Sequence, residues 1–192
     1  QVSFTGITMS GADASNYNLL APAAIQASIT PKAVTVTGLS SASKVYDATT
    51  TATVSGSAAL QAAVAVGAGS DTDGKYYAGD TLSVDSTNLV ANFDSKDVAA
   101  ASTVSFSGLT LAGASADNYT LVAHADQSGL QITPKDNALV GLASANKTYD
   151  ATTTAVVSGN AALNAANAVG TGSTADFNPY VGDTLTLQGT PL

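Results

Sequence analysis

The sequence predicts an all-β protein, and three observations predict it. The first is composition: all 14 acidic residues are Asp and all 6 basic ones are Lys, so the helix-favouring Glu and Arg are absent. Thr and Val, which suit strands, are abundant, and Gly, Ser, Asp and Asn supply turns. The second is a set of short β-rich runs separated by turn residues. The third is a long internal repeat, of a length that suits a sandwich domain rather than a solenoid rung.

The runs follow in order along the chain. Residues 33–37, 43–47, 50–55, 80–84, 88–93, 102–111, 119–124 and 128–132 alternate or are rich in strand-favouring residues. One run, SAALQAAVAVG at 57–67, reads equally as a short helix or an Ala-rich crossover. About eight short strands per hundred residues point to an immunoglobulin-like β-sandwich. With 45% hydrophobic residues but only 6% aromatics and no Trp, such modules have thin cores.

Self-comparison reveals the repeat. GLSSASKVYDATTTATVSGSAAL (Gly38 to Leu60) returns as GLASANKTYDATTTAVVSGNAAL (Gly141 to Leu163), 103 residues on. AGDTLSV from Ala78 returns as VGDTLTL from Val181, and SITPK (Ser28 to Lys32) as QITPK (Gln131 to Lys135), also 103 apart. VSFTGITMSGADASNYNLL from Val2 returns from Val104, 102 apart. Pro31 and Pro134 interrupt strand ladders and make natural module ends. On that frame 33–135 is one complete repeat, 1–32 the end of a preceding one and 136–192 the start of the next. A second frame has two copies, 1–89 and 103–192, joined by 90–102.

Two motifs look structural. In KVYDATT, Lys44 and Tyr46 share one strand face, and Asp47 begins a turn whose backbone N–H groups its carboxylate caps. Lys44 is expected to lay its stem along Tyr46 with its ammonium in water. Lys147, Tyr149 and Asp150 repeat the motif. In GADASNYNLL and its copy, a small polar run ends in Tyr17 or Tyr119 before a strand. That is the pattern of a tyrosine corner, whose hydroxyl bonds an upstream backbone group; an ordinary core tyrosine near a turn is the competing reading.

Together these motifs resemble the YDG/MBG-type repeats of large bacterial surface adhesins, including filamentous-haemagglutinin-like proteins exported by two-partner secretion. The resemblance runs through K-x-Y-D-x-T-T, G-D-x-L, the N-Y motif and I-T-P-K, and covers nearly the whole chain. It implies an extracellular, tandem stalk at the cell surface or in a biofilm matrix, serving adhesion. One departure is local: the family typically places Gly after the Y-D pair, and here Ala48 and Ala151 stand there. A left-handed Ala would cost about 1 kcal/mol, so a right-handed turn is expected.

Charge and composition exclude several classes. A net charge of −8 and six scattered Lys argue against nucleic acid. No apolar run reaches the length of a membrane span. With neither an initial Met nor a signal peptide, the sequence is expected to be part of something longer. The absence of Cys excludes disulfides and thiolate metal sites and suits export through an unfolded state. The single His124 lacks a repeat counterpart and is expected at a turn or in solvent, so no enzyme is expected.

Three ligand or crosslink readings remain. Calcium is the cofactor that GSDTDG would take, through Asp71 and Asp73, against a plain polar loop. Tyr76, Tyr77 and Asp80 offer a stacking and hydrogen-bonding platform for an exopolysaccharide or host glycan, against an aromatic hairpin packed on its own sheet. A Lys–Asp or Lys–Asn isopeptide bond at Lys44 and Lys147 is the crosslink to weigh against ordinary surface lysines. Finally, residues 1–32 and 136–192 together supply most of one repeat, so strand completion between copies would give head-to-tail fibres.

Overall fold

The computed structural model describes residue 2, residues 4–20 and residues 25–189. Among these the protein is essentially all-β, with fourteen strands and two single-turn 3-10 helices, Ala14–Asn16 and Ala116–Asn118. No helix is long and apolar enough to cross a membrane.

The first long strand, β1 (Lys32–Ser40), shows how the pattern works. Val34 and Val36 alternate inward, then Leu39 is buried after a one-residue slip. That slip is a bulge between Thr37 and Leu39, opposite the next long strand. Two glycines make it: Gly38 and Gly56 both have positive φ, and a Cβ on Gly56 would lie 2.1 Å from the Gly38 carbonyl oxygen. The short β2 (Lys44–Val45) and β3 (Thr51–Ala52) flank the Asp47 turn.

The ambiguous run at 57–67 is a strand. It lies within β4 (Ser55–Val64), paired antiparallel to β1 on one side and parallel to β5 (Lys75–Tyr77) on the other. Its alanines favour helix locally, but two strand partners outweigh propensity. Beyond it come β6 (Ser83–Asp85), β7 (Val90–Phe93), β8 (Thr103–Ser107) and β9 (Thr110–Ala112). The expected single strand at 102–111 is thus two, separated at Gly108. Then follow β10 (Tyr119–Val122), β11 (Gln127–Ser128) and β12 (Ile132–Thr133).

These elements form two four-stranded sheets, β10-β1-β4-β5 and β11-β8-β7-β3. Their buried side chains meet in one cluster: Val36 and Leu39 from β1, Ala91 and Phe93 from β7, Val104 and Phe106 from β8, with Ile132. Two strands from the end of the repeat return to its beginning in parallel. Lys32 pairs with Tyr119, and Lys44 with Ile132. Residues 32–133 are thereby laced together by pairs far apart in sequence.

The last two strands, β13 (Leu139–Ser144) and β14 (Val157–Leu163), copy β1 and β4 residue for residue. Leu139 pairs with Leu163 as Val36 pairs with Leu60, and the bulge recurs between Val140 and Leu142. At the other end Val2 pairs with Ile25 as Val104 pairs with Gln127, although Ala21–Ala24 lie outside the described residues.

Candidate functional site

The repeated charged motifs build three kinds of joint. The first is the K-x-Y-D turn. Lys44 Nζ donates to Asp47 Oδ1 (2.6 Å), the Thr49 carbonyl (2.9 Å), Thr49 Oγ1 (2.9 Å) and the Thr51 carbonyl (2.8 Å). It also lies 5.9 Å over the Phe93 ring. The expectation of a water-facing ammonium is therefore corrected: protein oxygens surround it. Asp47 Oδ1 meanwhile accepts from Thr49 N–H (2.9 Å) and Thr49 Oγ1 (2.8 Å). Burial by itself would raise the Asp47 pKa, but the Lys44 and Thr49 donors lower it overall.

The expected right-handed turn is also corrected. Ala48 and Ala151 both have φ of 64°. The Asp carboxylate and the Lys ammonium tie both sides of the turn, and those charge-assisted bonds outweigh an αL cost of about 1 kcal/mol. Glycine's usual place in this motif has a plain reason, and Ala fills it under strain. Lys147 and Asp150 make the same turn (2.8 Å), with Thr152 N–H donating to Asp150 (3.0 Å). Tyr149, however, is exposed.

The second joint ties Ile-Thr-Pro-Lys to a distant loop, and sequence reasoning missed it. Lys32 donates to Asp73 Oδ1 and to the Lys75 carbonyl (2.6 Å). Asp73 also accepts from the N–H groups of Lys75 (2.9 Å) and Ser70 (3.1 Å). The Lys32 bond first, then the backbone donors, lower its pKa to about 2. The pair recurs as Lys135 and Asp176, 2.7 Å apart, an ion pair rather than a well-aligned hydrogen bond. Lys135 sits 4.3 Å over the Tyr180 ring. Desolvation would lower its pKa, but Asp176 and Tyr180 raise it on balance. The available signal was joint recurrence: both members of the pair reappear 103 residues on.

The third joint is tyrosine on aspartate. Tyr119 donates its hydroxyl proton to Asp80 Oδ2, and the same oxygen accepts from Tyr77 N–H (2.9 Å). The backbone partner lies 42 residues upstream rather than a few, so this tyrosine fastens two strands instead of a local corner. Burial first, then Asp80, raises its pKa. Tyr17, the equivalent residue, is exposed. Tyr46 makes a parallel contact with the next repeat: its hydroxyl donates to Asp183 Oδ1 (2.7 Å), and its ring meets Tyr180 edge-on at 5.9 Å. Gly170 N–H also donates to the Asp47 carbonyl (3.0 Å).

The ligand candidates fall beside these joints. Tyr77 and Asp80 line an open cleft with Pro31, Lys32, Asp71 and Tyr119. Tyr76 is half-buried in the same strand, β5, on its other face. Asp71 is exposed, whereas Lys32 occupies Asp73. Among the described residues no three metal-ligating side chains cluster. His124 packs edge-on against Phe106, with ring centroids 4.9 Å apart.

No curated protein and no solved structure matches the chain significantly. A family model described as YDG domain matches residues 30–128, from just before β1 to the end of β11. That span exceeds half of the chain, and it contains all three joints in their buried form. The chain belongs to the YDG domain family.

Proposed function

We propose that the chain is a structural spacer: tandem modules of a bacterial cell-surface adhesin or matrix fibre, working outside the cell in adhesion or biofilm formation. The modules are read as immunoglobulin-like sandwiches on the 33–135 frame. Support for that frame comes from the single core cluster between two sheets and from the parallel return of β10 and β12. The parallel β4–β5 pair is an elaboration on a plain antiparallel sandwich.

The observation that carries the spacer reading is where the repeated charges go. Lys32, Lys44 and Lys135 each bind an Asp of a turn or loop, while Tyr46 reaches Tyr180 and Asp183 of the next repeat. Residues that recur with the repeat hold strands or neighbouring repeats together. Small-angle scattering of arrays with increasing repeat number tests this. The maximum dimension is expected to rise by a constant increment per repeat; growth like a compact globule would sink the reading. Antibody labelling of intact cells tests the location. The glycan reading rests on the cleft beside Tyr77. A glycan array that shows binding by the native chain, lost in Tyr77→Ala, would favour it over a pure spacer.

A further inference from the structure

Residues 2–32 carry the second half of the repeat, and residues 136–189 carry the first half. Each is already folded locally as its counterpart in residues 32–133. The 3-10 turn at Ala14–Asn16 is entered at Asp13 with φ −98° and ψ 4°, against −100° and 7° at Ser115. The β13–β14 pair reproduces the β1–β4 register and its bulge. The bridge between Asn167 and Tyr180 reproduces that between Val64 and Tyr77.

What differs is cover. Ile29 is fully exposed, yet its counterpart Ile132 is 1% exposed at the centre of the core. Tyr17 is 69% exposed against 7% for Tyr119. On the other half, Leu139 and Leu142 are 56% and 46% exposed, against 6% and 9% for Val36 and Leu39. In residues 32–133 the two halves cover each other: β10 lies on the start of β1, β12 on β2, and β9 on β6. The terminal halves have the same complementary faces and the same unpaired strand edges.

We infer that the face of residues 136–189 is a docking seat for residues 2–32 of a second copy of this chain, in the register of the central repeat. Tyr17–Leu20 then adds in parallel to residues 135–138, as Tyr119–Val122 adds to Lys32–Thr35. Ile29 enters beside Lys147, as Ile132 lies beside Lys44. Tyr17 meets Asp183 as Tyr119 meets Asp80. Tyr46 uses one oxygen of Asp183, and a carboxylate accepts at both. Because seat and segment lie on different ends of the chain, the contact is head-to-tail and propagates. One position is mismatched: Ser115 bonds Asp80 and Thr81, and Asp13 takes its place in the segment, bringing a second carboxylate near Asp183. The inference concerns complementary faces and does not depend on the extracellular reading.

Sedimentation velocity of the full chain, from micromolar to millimolar concentration, tests it. The native chain is expected to give a concentration-dependent ladder of oligomers. Ile29→Asp ruins the segment but keeps the seat; Leu142→Asp ruins the seat but keeps the segment. Each alone is expected to weaken association more than about tenfold. Their mixture is expected to give a dimer and no ladder, which a merely sticky surface would not do. Asp13→Ser is expected to tighten association several-fold. A native chain that stays monomeric, association indifferent to Ile29→Asp, a mixture without dimer, or no effect of Asp13→Ser would each overturn the proposal. Ile29 is fully exposed, so its substitution leaves the fold of residues 32–133 intact.

Discussion

The turns at Lys44–Thr49 and Lys147–Thr152 share almost one sequence and one conformation, yet they sit in different surroundings. Both have a left-handed Ala at φ 64° and an Asp that caps the Thr two residues on. Around the first, β12 adds beside β2, Phe93 lies under the ammonium, and two backbone carbonyls complete its shell. Around the second, the lysine reaches Asp150 and Thr152 Oγ1, and Tyr149 stands in solvent. Local chemistry therefore makes the turn, while burial gives it value.

The largest expected contrast lies in the strand that covers the turn. Ile132→Ala is expected to cost about 3 kcal/mol by chemical denaturation, while Ile29→Ala in dilute chain costs less than about 0.5 kcal/mol. Equal costs would mean that the two segments share one environment. Next comes the lysine. Lys44→Met is expected to cost about 2 kcal/mol, because the Thr49 and Thr51 carbonyls and Asp47 lose their donor. Lys147→Met is expected to cost below about 0.5 kcal/mol, as an exposed pair should. Ala48→Gly should relieve strain and stabilise by about 0.5 to 1 kcal/mol. Ala151→Gly should leave the main unfolding transition unmoved.

The smallest expected difference is in acid. Asp47 and Asp150 both lie below the ordinary 3.8, Asp47 despite burial that opposes the lowering and Asp150 chiefly through Lys147. A lowered native pKa stabilises above the unfolded value and loses that effect as pH falls through the native one. Carbon-detected titration should therefore find both carboxyl midpoints below 3.8. A midpoint at or above 3.8 for Asp150 would show that its turn needs tertiary cover after all.

Much of the architecture was legible in the sequence because the repeat wrote it twice. Strand positions such as 88–93 and 119–124 follow from alternation and turn residues, and Pro31 and Pro134 mark where ladders stop. Two features escaped for physical reasons. The Ala-rich run at 57–67 has no local preference strong enough to choose its state; two neighbouring strands chose it. The partners of Lys32 and Tyr119 lie about forty residues away, beyond the reach of spacing arguments. The glycine-to-alanine change was visible, but its consequence was misjudged, because the ammonium that holds the turn was expected in water.

The sequence by itself determined the all-β class, the repeat and the small set of charged residues that recur with it. Alternation, turn chemistry and self-similarity are local or self-referential, so they survive without coordinates. Only the tertiary structure decided which lysine meets which aspartate and why one copy of a turn is buried while its twin is bare. Those outcomes depend on strands far apart in sequence lying side by side, and no period along the chain encodes that adjacency.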